Sequence, residues 1–219
     1  PPFQSLQKTP FCGMHVHFVK FDVLCSDGAN TGWNYFTGAR QGQTVVYRWY
    51  ADVELKTVFF HDHFFANVHQ RHGLFGALVV EPEGSTYRNS FTGELLRAGT
   101  QAIIENPFIP DFREFCLAVH DWIPAFDGNE NPLNPPSQPD LMDDNGIMGF
   151  NYRCEPFQIR GGDPAYVFSS WVHGDPATPI FEKYIGDPVR LRLIHGSHEE
   201  SHAINIHKYS WHKERGDLD

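Results

Sequence analysis

Two short stretches, Met14-His15-Val16-His17 and Phe60-His61-Asp62-His63, each set two histidines one residue apart inside runs of aromatic and β-branched residues. That spacing brings the rings together on an extended backbone, where residues two apart project from the same face. His15 and His17 then share a face with Val16 turned away. His61 and His63 share a face with Asp62 reversed. If the two strands lie side by side, four imidazoles converge on one small volume. Four such rings are poorly buried without a partner: protonated they repel, and neutral they leave ring nitrogens unsatisfied. A metal ion resolves both problems, because it binds the neutral ring through one nitrogen. The other nitrogen then calls for a hydrogen-bond acceptor. All-imidazole ligation suits copper, zinc, iron or nickel, and the spacing does not choose among them.

The rest of the chain repeats the extended pattern. Alternating apolar and polar residues predict strands over 14–23, 42–51, 57–64, 73–82, 112–124, 186–197 and 201–212. The 19 Gly and 16 Pro are spread between them as turn signals. No window of the first half shows the 3.6-residue periodicity of a helix, so the expected fold is all-β. Residues 83–100 read as a polar connection, and 126–146 as a long loop rich in Pro, Asn and Asp, the kind that is functional, domain-bridging or mobile. GQTVVYRWY (42–50) and GDPVRLRLI (186–194) form a weak repeat, each beside a histidine-bearing stretch. We therefore expect two related β-sandwich modules, residues 1–95 and 96–219, the second incomplete at its C-terminus. The chain opens on Pro1-Pro2 rather than Met, which reads as part of a longer protein.

Composition narrows the partners. Nineteen phenylalanines and 41% hydrophobic residues support a sizeable core. A formal net charge of -10 argues against nucleic acid and against an anionic membrane as partners. No run of 18 apolar residues occurs. The four cysteines, Cys12, Cys25, Cys116 and Cys154, form no CxxC pair, so a zinc knuckle is not expected. Cys12 and Cys25 are spaced either to pair in an oxidising compartment or to remain buried thiols.

The segment from Gly42 to Pro82, GQTVVYRWYADVELKTVFFHDHFFANVHQRHGLFGALVVEP, resembles the N-terminal cupredoxin domain of multicopper oxidases. A strand of GxxxxYxW type leads into an aromatic pair and an HxH, then a GLxGxLVV strand, and His15-Val16-His17 supplies the family's earlier HxH. The overall flavour is closer to bacterial multidomain oxidases, manganese-oxidase-like proteins included, than to fungal laccases. Over 83–219 the likeness is looser, resting on GDPVRLRLI and the histidines after it. The resemblance implies cupredoxin-like Greek-key β-sandwiches, one complete and one partial, and copper as the cofactor. His15 would bind a type-2 copper. His17 would bind one type-3 copper, and His61 and His63 would bind the type-3 pair, one ion each. Such a cluster reduces dioxygen to water while a small one-electron substrate (a phenol, an amine or a metal ion) is oxidised elsewhere. Further cupredoxin domains, of this protein or another subunit, would complete it, in a periplasmic or extracellular setting.

Departures from the family pattern limit the reading. Its cluster uses eight histidines, and the two pairs here supply four. No HCH segment occurs, and His202-Ala203-Ile204-Asn205-Ile206-His207 resembles HxxHxH with Asn205 in the middle. His202 and His207 are therefore weaker metal candidates. Cys116 and Cys154 read as core thiols, so no type-1 copper site is visible, and the chain alone is expected to be inactive as an oxidase. His69 and His72 fall outside the ligand positions, and His120, His173, His195, His198 and His212 fit no pattern. Asp62 reads as a hydrogen-bonded structural carboxylate. Two other readings stand beside the oxidase: a non-oxidase copper-binding module, and a zinc or iron enzyme of cupin or hydrolase type. The latter wants a Glu after HxH, where this chain has Phe18-Val19-Lys20-Phe21-Asp22.

Overall fold

A computed structural model of the chain describes residues 9–70, 72–123, 128–131, 147–151, 160–176, 178, 180–196 and 202–211. Cys154, His198, His212 and most of the 126–146 loop lie outside them. The architecture is all-β, and among the described strands every pairing is antiparallel save that of Val189–His195 with Ile109–Ile123. Strands β1 (Met14–Val16), β4 (Lys56–Asp62) and β5 (Phe75–Val80) make a three-stranded sheet in the order β1-β4-β5. β2 (Lys20–Phe21) pairs with β3 (Trp49–Tyr50). A larger sheet runs β10-β8-β7-β6, from β6 (Thr86–Arg88), β7 (Gln101–Asn106), β8 (Ile109–Ile123) and β10 (Val189–His195), with β9 (Ile147–Phe150) also on β8. Two single-turn helices, α1 (Ala66–His69) and α2 (Ser170–His173), are the α-helical elements among the described residues.

Alternation explains the strands that form. β4 buries Val58 and Asp62 on one face and His61 on the other, and Val58 joins Val16 and Val19 in a core lined by Trp49, Phe60 and Leu78. Complete burial of a side chain such as Val58 stabilises by about 1.5–3 kcal/mol. In β7 every second residue, Ala102, Ile104 and Asn106, is buried. A third cluster, Phe75 with Ala118 and Ile194, ties β5 of the smaller sheet to β8 and β10 of the larger one. The division expected near residue 95 runs between β6 and β7 of that larger sheet.

Several expected strands differ. The 14–23 run breaks at His17-Phe18-Val19: Phe18 takes a left-handed conformation (φ 57°), and the Val19 amide donates to the His17 carbonyl at 2.7 Å. The chain thereby leaves β4 and crosses to β3. Within the 42–51 run, residues 45–50 alternate in burial, but only Trp49–Tyr50 finds a strand partner among the described residues. Side chains replace the ladder there: the Arg48 amide donates to Ser26 Oγ, and the Tyr47 hydroxyl to the Thr37 carbonyl. Of the expected 201–212 strand, the described residues 202–211 form neither strand nor helix and are exposed, and no strand among the described residues pairs with them. In the other direction, the polar connection 83–100 contains β6, and β7 follows it directly.

Candidate metal centre

β1 and β4 are antiparallel neighbours, with His15 directly opposite His61. This register brings the two histidine pairs together. His17 lies just beyond β1, yet its amide still donates to the Phe59 carbonyl at 3.0 Å, which extends the pairing by one residue. His63 lies just beyond β4, and its amide donates to the Gly13 carbonyl at 3.3 Å. The rings form one group: centroids are 5.3 Å apart for His15–His17, 4.9 Å for His15–His63, 5.2 Å for His17–His61 and 5.5 Å for His61–His63. Phe59 stacks on His61 at 5.2 Å and meets His17 edge-on at 5.7 Å, walling one side.

Backbone carbonyls orient the rings. His15 Nδ1 lies 2.8 Å from the Asp27 carbonyl, and His61 Nδ1 lies 2.7 Å from the Asp62 carbonyl. A carbonyl only accepts, so each Nδ1 carries the hydrogen and, in the neutral ring, each Nε2 keeps a lone pair. The Asp27 carboxylate adds a 3.1 Å contact to His15 Nδ1. His17 Nε2 and His61 Nε2 face each other at 3.1 Å. Burial, then the neighbouring imidazoles, lowers the pKa of His17 below the ordinary value. Burial lowers that of His61 too, partly offset by its bond to the Asp62 carbonyl. Both rings are therefore held towards the neutral form that binds metal.

Local backbone demands fix the Asp27 acceptor. Gly28 has φ +74°, and a Cβ there would fall 2.2 Å from the Met14 carbonyl oxygen. A Cβ on Gly13 would in turn fall 2.1 Å from the Gly28 oxygen. Only glycine lets the 26–29 loop press this closely on the start of β1. Nothing local in the sequence connects Asp27 to His15.

Asp62 points away from the histidine face, as alternation requires, and is an anchor. Its Oδ1 accepts from the Gly13 amide at 2.8 Å, and its Oδ2 from Phe65 at 2.9 Å, Phe64 at 3.2 Å and His69 Nδ1 at 3.0 Å. The side chain is 1% exposed. Cys12 Sγ approaches the same ring at 3.8 Å, so Cys12, Asp62 and His69 form one hydrogen-bonded group whose carboxylate is already saturated. Replacing Asp62 with Ala strands several buried amides, each worth about 1–3 kcal/mol when unsatisfied. Denaturant unfolding is expected to show a loss on the order of 3 kcal/mol, with Asp62→Asn recovering part of it.

Residues 9–85 match the multicopper oxidase family model. The matched stretch contains His15, His17, His61 and His63 together with Asp27, Asp62 and His69, and points to a copper-binding module of cupredoxin type. No curated protein matches the chain.

The remaining candidates sit elsewhere. His72 Nδ1 bonds the Val68 carbonyl at 2.6 Å within its own turn. His202 meets Asp121 on β8, and His207 is exposed; neither is among the rings packed with the four histidines. Cys12, Cys25 and Cys116 are free thiols among the described residues. Cys116 is half-buried rather than part of the core, and burial, before the neighbouring Glu114 charge, raises its pKa.

Proposed function

We propose that the chain supplies imidazole ligands from His15, His17, His61 and His63 to a copper cluster of a multicopper oxidase. In the complete enzyme this cluster reduces dioxygen to water while one-electron substrates are oxidised at another site. The observation that carries the reading is the 3.1 Å approach of His17 Nε2 to His61 Nε2. Imidazole–metal bonds of about 2.0–2.1 Å, at an angle near or somewhat above a right angle, set two ligand nitrogens about 3 Å apart. His17 and His61 therefore fit a single ion. Neither His15 nor His63 adds a third donor within 4.8 Å of both, so His17 and His61 stand as a two-ligand set. That matches separate type-2 and type-3 coppers, with His15 at the former.

Copper supplies the redox chemistry. The chain's own residues set the ligand geometry: the carbonyls of Asp27 and Asp62 fix the tautomers, and Phe59 shields His17 and His61 from water. The likeness to bacterial multidomain, manganese-oxidase-like enzymes rather than laccases belongs to the same proposal. So does the division into two cupredoxin modules, with the remaining ligands from further cupredoxin domains.

The second reading, a non-oxidase copper module, places all four rings around one ion. Copper titration followed by EPR separates the two. The cluster reading expects His15→Ala to remove one class of bound Cu(II) and leave the class held by His17 and His61. Each signal should show imidazole nitrogen coupling without the intense blue band of a cysteine–Cu(II) bond. Uniform weakening of a single class by every one of the four substitutions would favour the one-ion module.

A further inference from the structure

We infer that Asp121, His195 and His202 form a second, separate metal site, suited to a divalent ion of zinc type. The fold assembles it from three places. β10 pairs in parallel with β8, with His195 beside Val119. Asp121, two residues along β8, points to the same face as Val119, so it stands diagonally across from His195. Beyond His195 the chain is clamped: the Gly196 amide donates to the Val119 carbonyl, and a Cβ on Gly196 would fall 2.3 Å from the Phe75 ring. The 202–211 segment then brings His202 back over the same carboxylate.

His202 Nε2 lies 2.7 Å from Asp121 Oδ2, and His195 Nε2 lies 3.6 Å from that same oxygen. The two rings meet edge to face at 4.7 Å. The three donor atoms all lie within 4.8 Å of one another. Asp121 is buried at 8% exposure, while both histidines are exposed. A hydrogen bond accounts for the His202 contact but not for the His195 one, which is too long. Two imidazoles turned on one buried carboxylate repel if both are protonated; a divalent ion takes both rings neutral and keeps the carboxylate charged. Two nitrogens and one oxygen, with the solvent side open for a fourth ligand, is a donor set zinc accepts. Donors in a tetrahedral site of that kind lie about 3.3 Å apart, so binding requires the 2.7 Å contact of His202 with Asp121 to open and the 3.6 Å contact of His195 to close. The site shares no residue with the four-histidine cluster, and its metal would pin the 202–211 segment to the sheet.

Zinc titration of the full chain tests this, with Co(II) absorption as a second readout of the ligand set. In the His61→Ala/His63→Ala chain, one zinc equivalent should persist. Adding Asp121→Asn or His202→Ala should weaken that equivalent at least about 100-fold, since even outer partners of a metal ligand are worth about 10–100-fold. Because the double variant alters buried packing, exposed His202→Ala and His195→Ala are also made singly in the otherwise unaltered chain. Each should lower zinc stoichiometry by one. Unchanged affinity and stoichiometry in these variants, or no zinc retained in a folded His61→Ala/His63→Ala chain, would overturn the inference.

Discussion

Replacing Arg192 with Met is expected to destabilise the fold by about 3–5 kcal/mol, the range for breaking a buried ion pair by removing one partner. Arg192 lies on β10 at 8% exposure. Its Nε donates to Glu114 on β8 at 3.0 Å, and a terminal nitrogen donates to Glu81, just past β5. Arg190 reaches the other Glu81 oxygen at 2.7 Å, with its guanidinium 3.9 Å above the Phe112 ring. Glu81 and Glu114 are themselves buried. Without Arg192, Glu81 still meets Arg190, while the buried Glu114 loses the guanidinium that faces it. For a chain of this size the loss corresponds to a melting temperature lower by about 10 °C.

The pH dependence distinguishes charge from lost packing. Burial, with the hydrogen bond to Glu81, raises the Glu114 pKa from 4.5 to about 7 against the pull of Arg192. A carboxyl held above its unfolded value binds its proton more tightly when folded. Its contribution is full below about 4.5 and is lost as pH rises through about 7. Removing Arg192 takes away the guanidinium that pulls the Glu114 carboxyl down and so raises it further, and the deficit should be largest above about 7 and shrink on acidification. A deficit independent of pH, seen in thermal melts across that window, would assign the effect to packing alone.

Much of this was legible in the amino-acid sequence, and the exceptions have physical causes. Alternation located β4, β5, β8 and β10, because each has a buried face and a ladder partner. It failed over most of 42–51 and over the described part, 202–211, of the 201–212 run, where the pattern is present but no strand partner is found among the described residues. Local sequence does not encode whether a partner exists. β7 was missed for the opposite reason: Gln101, Glu105 and Asn106 make it look polar, although its burial alternates cleanly. The four histidines were legible because the period of a strand fixes their common face. Asp27 was not, since its carbonyl reaches His15 only through the tight approach of Gly13 and Gly28. Neither was the Asp121–His195 pairing, which depends on a parallel register between strands far apart in the chain.

The central claim concerns the histidine pairs, and the second large effect follows from it. His61→Ala combined with His63→Ala removes one ring of the facing Nε2 pair and the ring nearest His15. Outer partners of a metal ligand alone account for about 10–100-fold in affinity, so losing two ligand rings should exceed about 100-fold. The decisive measurement is copper bound per chain at equilibrium dialysis, with circular dichroism to show that the β structure is retained. Both chains carry His202→Ala, so that the site at Asp121 does not contribute. The parent chain should retain tightly bound copper, and the chain lacking His61 and His63 should lose most of it. Equal copper in both folded chains would show that the paired histidines are not the metal centre.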